Sequence, residues 1–148
     1  MTDRLPHDDY ADEVTSALHA AGWPSDTACW TESPDGERLE IAVRRRVGDL
    51  IRNDEWPHGC GIGWDQREGW IYIYSAAPGA YPNVDYLTDE LYAAPGDVAA
   101  AARLLAAGRL DQLPFPGHEW EHAGQLRAAV AEWEADAAWE IDELPTID

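Results

Sequence analysis

Tyr10, Val14, Ala17, Leu18 and Ala21 recur at i, i+4, i+7, i+8 and i+11, and this single apolar stripe predicts an amphipathic helix. Asp8 or Asp9 is placed to cap its start, and Gly22 followed by Trp23-Pro24 ends it. From residue 27 the period shortens to two. Segments 27–33 and 38–45 flank the turn sequence Pro34-Asp35-Gly36, and Leu39, Ile41 and Val43 share one face. Residues 48–59 lose the alternation and read as a loop or short irregular helix. The apolar runs after them flank Gln66-Arg67-Glu68-Gly69, which predicts a hairpin with a four-residue loop. That loop sets Asp65 opposite Trp70 and Ile62 opposite Ile73. Cys60, Ile62, Trp64, Ile71 and Ile73 then form the core face, while Trp70, Tyr72 and Tyr74 share the other with Gly61 and Gly63.

Beyond a loop at 76–88, residues 95–108 predict a second helix, with Val98, Ala101, Ala102 and Leu105 inward and Gly108 at its end. A third helix is expected from about His118 to Asp136, with Leu126, Val130, Trp133 and Ala137 on one face, followed by an extended acidic tail. The order is an N-terminal helix, an antiparallel sheet of about four strands and two C-terminal helices, an α+β fold in one domain over 1–148. A chain of this length buries roughly two-thirds of its unfolded surface.

Charge narrows the partners. Against 29 acidic side chains stand 10 basic ones, all Arg, for a net charge of −19, which repels phosphate backbones and anionic membrane. The two cysteines, Cys29 and Cys60, are too few for a disulfide scaffold. The first residues lack the basic and apolar regions of a signal peptide, and no apolar run reaches the ~20 residues of a membrane span. The expectation is a cytoplasmic protein with reduced thiols and no cofactor.

The segments 10–24, 62–74 and 94–108, with Trp64-Asp65 and Gly69-Trp70 flanking the hairpin tip, resemble a family of small actinobacterial domains of unknown function. The resemblance spans about residues 8–108 and implies an intracellular actinobacterial domain without implying an activity. Residues 109–148, an acidic helix and tail, lie outside it.

Several residues carry candidate chemistry. His118-Glu119-x-x-His122 has the spacing by which one helix offers two zinc ligands and a general base, with Glu140 or Glu143 as a third ligand; this is the signature of a small zinc-dependent hydrolase. Accident is the preferred reading, because Pro116-Gly117 puts the first His at a frayed helix end and the flanks lack apolar cover. His58, Cys60 and Cys29 match no structural zinc spacing, and Cys60 reads as a small core residue before it reads as a nucleophile served by His58. Trp70, Tyr72 and Tyr74 have the composition of a base-stacking sheet, but only Arg44-Arg45-Arg46 offers a basic cluster, so a protein-binding surface fits them better. The strongest asymmetry is C-terminal. Glu132, Glu134, Asp136 and Glu140 crowd a segment whose one basic residue is Arg127. The expected function is a non-enzymatic interaction module whose acidic face binds a basic protein partner, a DNA mimic being a special case.

Overall fold

The apolar stripe of the first segment closes into α1 (Asp8–Ala20), where Tyr10, Val14 and Leu18 are fully buried. Asp8 and Asp9 stand in its first turn, where their charge meets the positive helix end, instead of at the cap position, which His7 occupies. Asp8 accepts the Leu5 N–H at 2.8 Å and the Thr31 hydroxyl at 2.6 Å, tying the helix start to the sheet. Gly22 follows at φ +98°, the left-handed conformation that ends the helix. The computed structural model describes residues 5–23, 28–33, 38–44, 51–53, 56–77 and 79–142. The Pro34-Asp35-Gly36 turn, Arg45, Arg46, Glu143 and the acidic tail lie outside the described residues, as do the side chains of Cys29, Arg44, Ala137 and Glu140.

Among the described residues, six strands form one antiparallel sheet: β1 (Ala28–Glu32), β2 (Glu40–Arg44), β3 (Ile51–Asn53), β4 (Trp56–Asp65), β5 (Gly69–Tyr74) and β6 (Asn83–Tyr86). The order is β1-β2-β4-β5-β6, with β3 also on β4 beyond the end of β2. The α+β architecture is the one the periodicity predicts. The short strands β3 and β6 are drawn from stretches expected to be loops.

The hairpin register differs from expectation by one residue. Asp65 pairs with Gly69 and Ile62 with Tyr72, so the connection is three residues, not four. Gly69 at φ +79° supplies the left-handed position that closes such a loop. Asp65 Oδ1 accepts the N–H groups of Arg67 at 2.7 Å and Glu68 at 2.6 Å, and Gln66 turns inward to accept the Leu39 N–H at 2.7 Å. A slip of one residue exchanges the faces of a strand. Trp70 and Tyr72 therefore join Leu39, Ile41, Val43, Cys60, Ile62 and Trp64 in the core, and Ile71 and Ile73 turn to the opposite face. That face runs through Ala42, Gly63, Ile71 and Tyr86 in one row, with Gly61, Ile73 and Val84 in the next.

Helices cover the core face. α2 (Pro95–Ala106) buries Val98, Ala101, Ala102 and Leu105, the predicted stripe. α3 (Ala123–Asp142) buries Ala123, Leu126 and Val130, with Trp133 packed partly against the core. Each of the buried Val and Leu side chains among these contributes about 1.5–3 kcal/mol. One polar chain crosses the layers: the Trp70 indole N–H donates to Tyr10 Oη at 2.9 Å, and that hydroxyl donates to the Ala93 carbonyl.

Candidate functional site

α3 begins five residues later than its apolar period predicts, and the reason is tertiary. Residues 115–120 run as an extended strip along residues 87–94: Phe115 N–H donates to the Leu87 carbonyl (2.9 Å), Ala94 N–H to His118 (2.8 Å) and Trp120 N–H to Tyr92 (2.8 Å). Asp97 fixes the strip from the first turn of α2, accepting the His118 N–H at 2.7 Å. These long-range bonds satisfy backbone groups that a helix would have paired internally.

The zinc motif loses its geometric basis as a result. His118 and His122 both precede α3 and share no helical face. The His118 side chain is 92% exposed, with Nδ1 3.7 Å from Asp97, whereas His122 stands edge-on to Trp120 with ring centroids 5.2 Å apart. Glu119 accepts a hydrogen bond from Arg127 at 2.5 Å. Among the described residues no group of three His, Cys, Asp or Glu side chains converges as a metal site. Cys60 is buried, and that burial pushes its thiol up to about 12, so it holds its proton and packs as a core residue.

The sheet aromatics are likewise corrected. Trp70 and Tyr72 are 0% and 5% exposed, and Tyr74 packs on Trp56 at 4.8 Å, so these rings build the core and not a docking face. Among the described residues, the exposed large apolar side chains are Tyr81, Val84 and Tyr86.

What the strip does create is a cleft of about 200 Å³ between the start of α1 and the start of α3. Tyr10, Trp120, Leu126 and Ala129 form its apolar wall, and Asp9, His122 and Gln125 its polar lining. Trp120 lies tilted at 32° against Tyr10, centroids 4.9 Å apart, and is half-buried. Gln125, Ala129, Glu132 and Asp136 recur at i, i+4, i+7 and i+11, so the cleft wall continues along α3 as a carboxylate stripe. Glu132, Glu134 and Asp136 are exposed. Arg127, two residues or about 200° around the helix from Gln125 and Ala129, is held against Glu119 with its guanidinium 5.1 Å from the Tyr92 ring centroid. The sequence displayed the stripe, but nothing local in it brings Trp120 onto Tyr10.

An antiparallel sheet covered on one face by helices, with its cleft and greatest charge on the helical side, makes this a small two-layer α+β domain. The chain belongs to the family of unknown function DUF6292, which it matches over residues 10–104. The match takes in Tyr10 and nearly all of α2 and ends before α3. No curated protein and no solved structure matches the chain. Among the described residues, no helix is long and apolar enough to cross a membrane.

Proposed function

We propose that this protein is a cytoplasmic, non-enzymatic interaction module that binds a basic protein partner through the acidic surface of α3. One observation carries the reading: Glu132, Glu134 and Asp136 are exposed, while Arg127 is already engaged with Glu119 and Tyr92. The carboxylates thus face solvent with no cation of their own helix beside them. With a net charge of −19 behind it, such a surface raises the encounter rate with a cationic partner and makes binding sensitive to salt. The reading is tested with a partner captured from the source organism and then purified. Its affinity should fall at least tenfold between 50 and 500 mM salt, and Glu132→Gln/Glu134→Gln/Asp136→Asn should weaken binding and flatten that dependence. Equal affinity at both salt concentrations, or an unaffected triple variant, refutes it. A partner whose own ligand is nucleic acid would identify the DNA-mimic form of the same function.

A further inference from the structure

We infer that the cleft between α1 and α3 seats one arginine side chain of the basic partner. The inference rests on the acidic-surface reading above and adds to it the place and chemistry of the anchor. Size is the first argument. At about 200 Å³ the cleft is below the roughly 300–1,000 Å³ of small-molecule sites, which fits it to a single side chain.

Chemistry is the second. The Trp120 and Tyr10 rings and the Leu126 and Ala129 side chains give the cleft an apolar and aromatic wall, while the rest of its lining among the described residues is Pro6, Asp9, His122 and Gln125. Among the described residues, no Arg or Lys lines it. The guanidinium is planar and weakly hydrated, stacks on aromatic faces and presents several N–H donors at its edge. An arginine enters with its stem along Leu126 and Ala129 and its head against Trp120, leaving the donors for Gln125 and the carboxylates. A lysine ammonium is compact and strongly hydrated, and it fits the aromatic wall less well.

Charge is the third argument. Along α3, at 1.5 Å per residue, Glu132 and Asp136 stand about 4.5 and 10.5 Å beyond Ala129. Both distances lie near or inside the screening length of roughly 8 Å at physiological salt. Asp12 and Glu13 are exposed one turn along α1 from Asp9. The cleft thus lies between acidic stretches of two helices, and a cationic side chain entering it is favoured before it makes contact. Buried aromatic and arginine anchors of this kind carry much of the energy of protein interfaces.

The test is a titration of the ¹⁵N-labelled full chain with the capped peptide Gly-Ser-Arg-Ser-Gly, following the Trp120 indole N–H, which a Trp120→Phe spectrum assigns. The arginine peptide should shift this signal saturably. The same peptide with citrulline, equal in shape but neutral, should bind at least tenfold more weakly, and the lysine peptide should fall between them. Ala129→Leu, whose larger side chain occupies the cleft without removing Trp120 or Tyr10, should abolish the response. Equal responses to arginine and citrulline on the unaltered chain overturn the inference, as does full binding by a folded Ala129→Leu protein. If the Glu132 and Glu134 amides respond to the arginine peptide while Trp120 does not, the cleft assignment fails and the acidic-surface reading stands. No response anywhere overturns both.

Discussion

Replacing Tyr10 with Phe removes one oxygen and leaves a ring of nearly the same shape, so its effect isolates the polar chain that crosses the core. In the native protein the Tyr10 hydroxyl accepts the Trp70 indole N–H at 2.9 Å and donates to the Ala93 carbonyl. Tyr10 and Trp70 are 0% exposed and Ala93 is 1% exposed, so neither partner gains ready access to water when the hydroxyl is lost. Each lost bond costs about 0.5–1.5 kcal/mol net, and a buried group stranded without a partner costs roughly 1–3 kcal/mol. With some local relaxation, the expected loss is about 2–4 kcal/mol. At roughly 2–4 °C per kcal/mol for a chain of this size, the melting temperature should fall by about 5–15 °C. Urea unfolding followed by tryptophan fluorescence measures this, with Tyr81→Phe, at a position 96% exposed, as the control that should stay within about 0.5 kcal/mol. A cycle with Trp70→Phe sharpens the test. Once the indole N–H is gone, Tyr10→Phe should cost less, with a coupling of about 0.5–3 kcal/mol. Additive losses, or a Tyr10→Phe protein as stable as the parent, would refute the crossing chain.

The hairpin register gives a second expectation. Tyr72→Ala should destabilise by about 3–5 kcal/mol and Ile73→Ala by clearly less, because Tyr72 is 5% exposed and Ile73 only half-buried; the reverse order would restore the four-residue loop. His7 sets a pH dependence. It is fully buried, stacked on Trp64 at 5.6 Å, with Nε2 2.8 Å from the Glu40 carbonyl oxygen and no partner for Nδ1 among the described residues. Burial outweighs the Glu40 hydrogen bond and the nearby Asp8 charge, and it lowers the pKa from 6.5. Below pH 6.5 the unfolded chain therefore binds a proton that the folded chain refuses, and this contribution to stability falls with decreasing pH until the folded value is reached. The difference in unfolding free energy between parent and His7→Gln should thus shrink by up to about 1.4 kcal/mol per unit as pH falls below 6.5. A difference constant with pH, or growing as pH falls, would contradict the lowered pKa.

Where local period decided structure, the sequence was legible. The 3.6-residue stripe of α1, with Tyr10, Val14 and Leu18, and that of α2, with Val98, Ala101, Ala102 and Leu105, emerge as written, because each helix needs only one buried face to be specified. The hairpin shows the limit of the period-two rule. Alternation fixed that β5 has two faces, but which face is inward depended on whether Gly69 belonged to the loop or to the strand. Sequence pattern favoured the isoleucines for the core. Instead, the Asp65 side-chain bonds and the inward Gln66 select the shorter loop, and the aromatic rings go in. The start of α3 departs from its apolar period for a different reason. Its competitor is a pairing between residues 115–120 and 87–94, which no window around the histidines contains.

That same pairing changes the meaning of the acidic helix. The family match ends at residue 104, so residues beyond it would read as an appendix free to reorient. The contacts argue otherwise. Trp120 is bonded through its backbone to Tyr92 and packed at a tilt against Tyr10, Arg127 lies over Tyr92, and Ala123, Leu126 and Val130 are buried. The first turns of α3 are thus pinned to residues of the matched domain from both its first helix and the segment before its second. A carboxylate array on a free tail offers charge alone, and it loses conformational entropy when it binds. Glu132 and Asp136 stand on a helix whose orientation is already set by packing, at fixed distances from the cleft that Trp120 completes. Recognition by such a surface depends on where the partner's cations stand as well as on how many there are. On the proposed reading, a partner with the right charge and the wrong spacing would be attracted and then fail to dock, and that would distinguish an interaction site from a solubility device.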